Sequence, residues 1–131
     1  MNIRHFRDLD VYKKAKSIAL EIYDISKTFP AEERYSLTDQ IRRCSRSACA
    51  NLAEAWRRRR YEAAFIAKIN DCEAECSETE VWLEFALAHG YISEDQYRNL
   101  EDQCEHTIAM LVKMATHSKD WVLKKSDVAT R

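Results

Sequence analysis

Arg42, Arg46, Arg57 and Arg60 stand in a stretch over residues 35 to 60, YSLTDQIRRCSRSACANLAEAWRRRR, that holds neither Gly nor Pro. If the stretch is helical, their offsets of 4, 15 and 18 residues from Arg42 return to nearly one direction at about 100° per residue. Cys49 and Ala53 fall in the same sector, and Arg43, Arg58 and Arg59 widen it. The chemistry of such a stripe is anion binding. A guanidinium presents a planar fork of donors that can take two phosphate oxygens at once, and it stays charged at neutral pH. A row of them can follow a nucleic-acid backbone. The same row also suits ion pairs with a neighbouring helix or subunit, for which Glu73, Glu75, Glu78 and Glu80 are available. The sequence pI of 6.4 is low for a dedicated RNA-binding domain, and there is no Gly-rich phosphate loop and no RNA-module signature.

Other chemistry has less support. Cys72 and Cys76 are one helical turn apart, with Cys44 and Cys104 elsewhere, but unpaired cysteine usually behaves as a small buried hydrophobe. A di-iron centre in a helical bundle needs Glu-x-x-His pairs on two helices, and neither His89 nor His106 has Glu three residues before it. Ser45, Ser47 and the four histidines form no recognisable nucleophile and base. The expectation is a protein that is not an enzyme, with no catalytic residue, no metal and no cofactor. Trp56, Trp82 and Phe85 read as packing or interface anchors. Asn51 and Gln40 read as bonding across helices or subunits, or as surface amides.

The elements that would carry these residues follow from composition and periodicity. The chain has 131 residues, one Gly and one Pro, and 46% hydrophobic residues, which predicts one all-α domain. The domain is expected over 1–118, with a tail over 119–131 containing Trp121, Lys124 and Lys125 that lacks a sustained pattern and frays. No apolar run reaches eighteen residues and the N-terminus has no signal-peptide core, so the expected location is the cytoplasm with no membrane partner. The five cysteines are then expected to be reduced. Charge is uneven: residues 1–60 sum to +6 and residues 61–131 to −7. Opposite-charge contacts between segments or subunits would follow, or a basic surface for an anionic partner.

Four helices are predicted. Val11, Ala15, Ile18, Ile22, Ile25 and Phe29 mark a first helix from Asp8 or Asp10 to Thr28, closed by Pro30. Leu37, Ile41, Cys44, Ala48, Leu52 and Ala55 mark a second, with Ser36 or Thr38 as N-cap. Phe65, Ile69, Cys72, Cys76, Leu83 and Leu87 mark a third, stopped at His89-Gly90. A fourth, opened by a Ser93/Gln96 capping box, carries Tyr97, Leu100, Cys104, Ile108, Leu111 and Ala115. Short connections predict an up-down-up-down antiparallel four-helix bundle.

The stretch YSLTDQIRRCSRSACANLAEAW resembles the central motif of the four-helix proteins encoded by 23S rRNA intervening sequences, a pattern written Y-G-L-T-x-Q-I-R-R-A-x-x-S-I-P-x-N-I-A-E-G. FRDLDVYKKAKSIALEIYDISKTFP and SETEVWLEFALAHGYIS are similar to its first helix and its third-to-fourth helix junction. Ser36, Cys49 and Ala55 replace the family's Gly, Pro and Gly, and Ala48 replaces a larger apolar residue, so the second helix should be less kinked here. The resemblance implies a ring-shaped homo-oligomer, a pentamer, and a connection to RNA. Ala48, Ala50, Ala53 and Ala55 would allow close helix approach on more than one face. The functional expectation is a non-enzymatic oligomeric adaptor or assembly protein that binds RNA, or a nucleic-acid-processing partner, through Arg42, Arg46, Arg57 and Arg60. The alternative is a protein-interaction scaffold without nucleic acid, its arginines in inter-subunit ion pairs.

Overall fold

Apolar residues spaced by threes and fours, with breakers confined to the connections, give four α-helices and no strand among the described residues, 3–124 of this computed structural model. They are α1 (Asp10–Ser26), α2 (Leu37–Arg57), α3 (Glu62–Ala88) and α4 (Glu94–Thr116). The principal packing partners run cyclically, α1 with α2, α2 with α3, α3 with α4, and α4 with α1. Among the described residues no helix is long and apolar enough to cross a membrane.

Local chemistry sets most helix ends. Ser93 caps α4 as predicted, accepting from the Gln96 amide at 3.1 Å while the Gln96 side chain accepts from the Ser93 amide at 2.9 Å. Gly90 at φ 75° turns the chain out of α3, and Tyr91 N–H closes onto the Ala86 carbonyl at 2.8 Å. One boundary differs from the sequence reading, and one predicted cap position is filled without its expected hydrogen bond. α1 stops at Ser26, where Lys27 and Thr28 already form a turn bonded to Asp24 and Ile25. Ser36 holds the N-cap position of α2, but its hydroxyl donates to Glu33 Oε1 at 2.6 Å, and that carboxylate accepts the Leu37 amide at 3.3 Å. Hydrogen bonds from Ser36 and Tyr91 hold the Glu33 carboxyl below its ordinary range. α2 is uninterrupted over its length, as expected from the loss of the family's Pro and Gly.

The core has two apolar clusters. Phe65, Ile69, Cys72, Leu52 and Leu111 belong to one; Ile22, Ile41, Leu83, Leu100 and Cys104 belong to the other. Along each of α2, α3 and α4 a small or polar residue falls between them: Cys44, Thr79 and Thr107, all buried. Thr79 donates to the Glu75 carbonyl at 2.8 Å and approaches Cys44 Sγ at 3.2 Å, while Thr107 donates to the Gln103 carbonyl at 2.8 Å. These bonds let hydroxyls sit in the core without an orphaned donor. The described part of the expected tail is docked rather than frayed. Trp121 and Val122 pack on the first cluster, Ser118 donates to Glu62 Oε2 at 2.6 Å, and Leu123 N–H bonds the Arg59 carbonyl at 2.9 Å. Residues 125–131, with Lys125, lie outside the described residues.

Candidate nucleic-acid interface

The helical stripe is real over part of its predicted length. α2 ends at Arg57, and Arg58 to Arg60 form a turn, so the wheel that placed Arg60 beside Arg42 does not apply to it. The contacts at this end are partly local and partly tertiary. Arg59 lies over the Trp56 ring at 3.4 Å and donates to the Trp56 carbonyl at 2.8 Å, while its own carbonyl takes the Leu123 amide. Of the predicted arginines, Arg42 and Arg46 fall in one group and Arg57 in another, while Arg60 is exposed on the turn outside both.

The first group sits at the start of α2. Arg42 Nε donates to Ser26 Oγ at 2.7 Å, and Arg42 and Arg46 lie over the Tyr23 ring at 4.5 and 5.2 Å. Arg34, Thr38, Asp39, Arg42, Arg43 and Arg46 line a groove of about 440 Å³. Arg34 lies 5.9 Å from the ring of Tyr35, which is 86% exposed. Neither Arg34 nor Tyr35 was legible as part of the site, because the turn preceding α2 carries no periodicity to place them. Arg43 also faces α3, sharing a groove with Gln40, Glu75 and Glu78.

The second group is Arg57 and Arg58, which with Phe6, Ala53 and Glu54 line a hollow of about 420 Å³. Arg7 lies over the Phe6 ring at 4.8 Å. Arg46 and Arg57 are about 16 Å apart along the helix at 1.5 Å per residue. None of Arg42, Arg43, Arg46, Arg57 and Arg60 makes a salt bridge among the described residues. Glu54 is held below its ordinary range by Lys68, at 2.8 Å, and Lys68 also donates to Asn51 Oδ1 at 3.2 Å, so Asn51 bonds across helices.

Arg42 differs from Arg46 in being committed to α1. Arg42→Gln is expected to lower stability by about 1 kcal/mol, since it removes a charged donor from Ser26 and a cation from Tyr23. Arg46→Gln should change it by about 0.5 kcal/mol or less. Urea melts of the two variants check the difference.

The opposite side of the molecule is acidic. Burial pushes the Glu80 carboxyl up to about 8, reinforced by Glu105, Glu101 and Glu84, and its Oε1 is buried without a hydrogen-bond partner among the described residues. Tyr97 donates to Glu101 at 3.0 Å, and burial together with Glu101 pushes its phenol up to about 12. The folded protein thus retains on Glu80 a proton that the unfolded chain releases near 4.5. This stabilisation is complete below that pH and is lost as pH rises toward 8. Glu80→Gln is expected to raise the melting temperature by a few degrees at the alkaline end of this window and to leave it unchanged at the acid end, measured by thermal melts across it.

The cysteines are free thiols, and burial pushes Cys44 and Cys49 up to about 11, Cys76 up to about 12, and Cys72 and Cys104 further still. Among the described residues no group of three or more His, Cys, Asp or Glu is placed to share a metal ion. Trp56 is a core residue, whereas Phe85 is about half exposed, at 48%.

Residues 7–113 match the sequence profile of the 23S rRNA-intervening sequence proteins. No curated protein matches the chain. The fold is similar to a crystal structure of a protein of unknown function from the S23 ribosomal protein family of Bacteroides thetaiotaomicron VPI-5482. The two are 29% identical, with a TM-score of 0.73 over 81% of this chain and 95% of that one. With the four helices, the α2 motif and the profile in agreement over most of its length, the chain belongs to the 23S rRNA-intervening sequence protein family.

Proposed function

We propose that this protein is a non-enzymatic, oligomeric adaptor of the cytoplasm that holds RNA along the basic surface of α2. The observation that carries this reading is the groove of Arg34, Arg42, Arg43 and Arg46, which holds four guanidinium groups to one carboxylate, Asp39; none of the four makes a salt bridge among the described residues, and Arg43 alone also borders Glu75 and Glu78. Such a set binds anions and contains no activated nucleophile. The acidic α3–α4 side repels a polyanion and so favours one orientation. The family's name favours RNA as the anion.

The same reading takes the fold as an up-down-up-down bundle. Supporting pairs run oppositely along α1 and α2, Tyr23 with Arg46 and Ser26 with Arg42, and along α2 and α3, Asn51 with Lys68 and Cys44 with Thr79, while Glu62 at the start of α3 meets Ser118 just past the end of α4. Assembly into a ring, a pentamer by the family resemblance, completes the proposal.

The test is a titration of full-length protein with single-stranded RNA at several salt concentrations. Three or four phosphate contacts should make log affinity fall against log salt with a slope of about −2 to −3. Absence of binding at low salt, or an affinity indifferent to salt, rejects the RNA reading and leaves a nucleic-acid-processing protein as the partner to seek. Light scattering that returned a monomer at every micromolar concentration would remove the oligomer.

A further inference from the structure

On α1, α2 and α4 the apolar residues gather toward the core, whereas on α3 they run round the helix. Apolar side chains that gather on the solvent side of a helix mark a face that a partner can cover. The solvent side of α3 carries Val81 and Phe85, 43% and 48% exposed, in line with the exposed Ala67, Ala74 and Ala88. The Phe85 ring is flanked by Trp82 at 5.8 Å and His89 at 6.2 Å. The charges on this side are of one sign. Asp71, Glu78 and Glu84 are exposed, while Lys68, the only Lys or Arg of α3, is turned onto Glu54 and Asp71 at 2.8 and 3.7 Å.

The outer side of α1 is its complement. Leu20 and Tyr23 are 59% and 38% exposed there, beside the exposed Lys13 and Lys16. Asp24 on the same side is paired with Lys27 at 3.6 Å, which leaves Lys13 and Lys16 to set the sign of this face. From Lys16 through Leu20 to Tyr23 is seven positions, as it is from Glu78 through Val81 to Phe85, about 10 Å along either helix. In the bundle topology inferred above, α1 and α3 run in the same direction. The Phe29 and Tyr91 rings, 5.5 Å apart and each six residues beyond Tyr23 and Phe85, put the two faces at one level, so a rotation about an axis along the helices would bring Lys16 toward Glu78, Leu20 toward Val81 and Tyr23 toward Phe85.

We propose that the outer face of α3 docks onto the outer face of α1 of a second copy of this chain, head to tail. The contact rests on the oligomeric reading and specifies its surfaces. Because the two faces differ, each copy offers one and uses the other, and repetition closes into a ring when the rotation fits.

The test uses full-length protein carrying either Leu20→Glu or Phe85→Glu, both at exposed positions, with helix content checked by circular dichroism and mass by light scattering. Each variant alone is expected to be monomeric. An equimolar mixture should give a species of two chains and nothing larger, since a single productive pair of faces survives between them. That rescue cannot arise from a misfolded variant. Retention of the wild-type mass by either variant, or a mixture without the two-chain species, overturns the head-to-tail contact while leaving oligomerisation intact. A wild-type protein that is monomeric throughout overturns both, and leaves the α3 face to a different partner.

Discussion

Replacing Arg42, Arg46, Arg57 and Arg60 together with Gln is expected to lower affinity for single-stranded RNA by about a hundredfold at 0.2 M salt and to remove most of its salt dependence. Each lost contact to a single-strand phosphate takes about 0.7 from the slope of log affinity against log salt, so four contacts carry about two decades at that concentration. Gln is nearly as good a helix former as Arg, so α2 should persist. The structure divides the effect unevenly. Arg42 is engaged by Ser26 and Tyr23 and contributes to stability as well, while Arg46, Arg57 and Arg60 are exposed. Filter binding at three salt concentrations, with light scattering alongside, checks it. A fall in assembly mass would instead assign the arginines to contacts between subunits. An unchanged salt slope with intact assembly would leave them as a solvated face.

Phe65→Ala should have the largest effect on stability, a loss of about 3–5 kcal/mol and a fall in melting temperature of about 10–20 °C. Phe65 heads the fully buried side chains by size, is 0% exposed, and lies in the cluster formed by the end of α2, the start of α3 and the end of α4. Its removal leaves a cavity that helices fixed by their other contacts cannot collapse to fill. A domain stable by only about 5–15 kcal/mol would be left marginal. Tyr35→Ala, at a position 86% exposed, is the control and should change stability by about 0.5 kcal/mol or less. Denaturant titration followed by circular dichroism measures both.

The fold was largely legible because its determinants are local. The six residues predicted for the core side of α2 are all buried, and the Ser93/Gln96 box and the Gly90 stop depend on neighbours in sequence. On α3 the core stripe passes through Thr79 and Ala86 rather than Leu87, because a threonine that bonds its own helix can occupy a core position. The candidate site was less legible because its determinants are distant. Nothing around Arg42 announces that Ser26 and Tyr23 will hold it, and nothing in a run of four arginines says that Leu123 will bond the Arg59 carbonyl. Arg34 and Phe6 enter the basic surface from segments outside the four helices.

The division of the core has a consequence for how the molecule opens. Cys72 and Cys76 lie in one apolar cluster, Cys104 lies in the other, and Cys44 sits between the two. Each thiol is held protonated and shielded, so an alkylating reagent reaches it only when its surroundings part. The native cysteines thus form a set of built-in clocks. If the two halves separate as independent cooperative units, Cys104 will be labelled on a different timescale from Cys72 and Cys76; if the bundle opens in one step, all will react together.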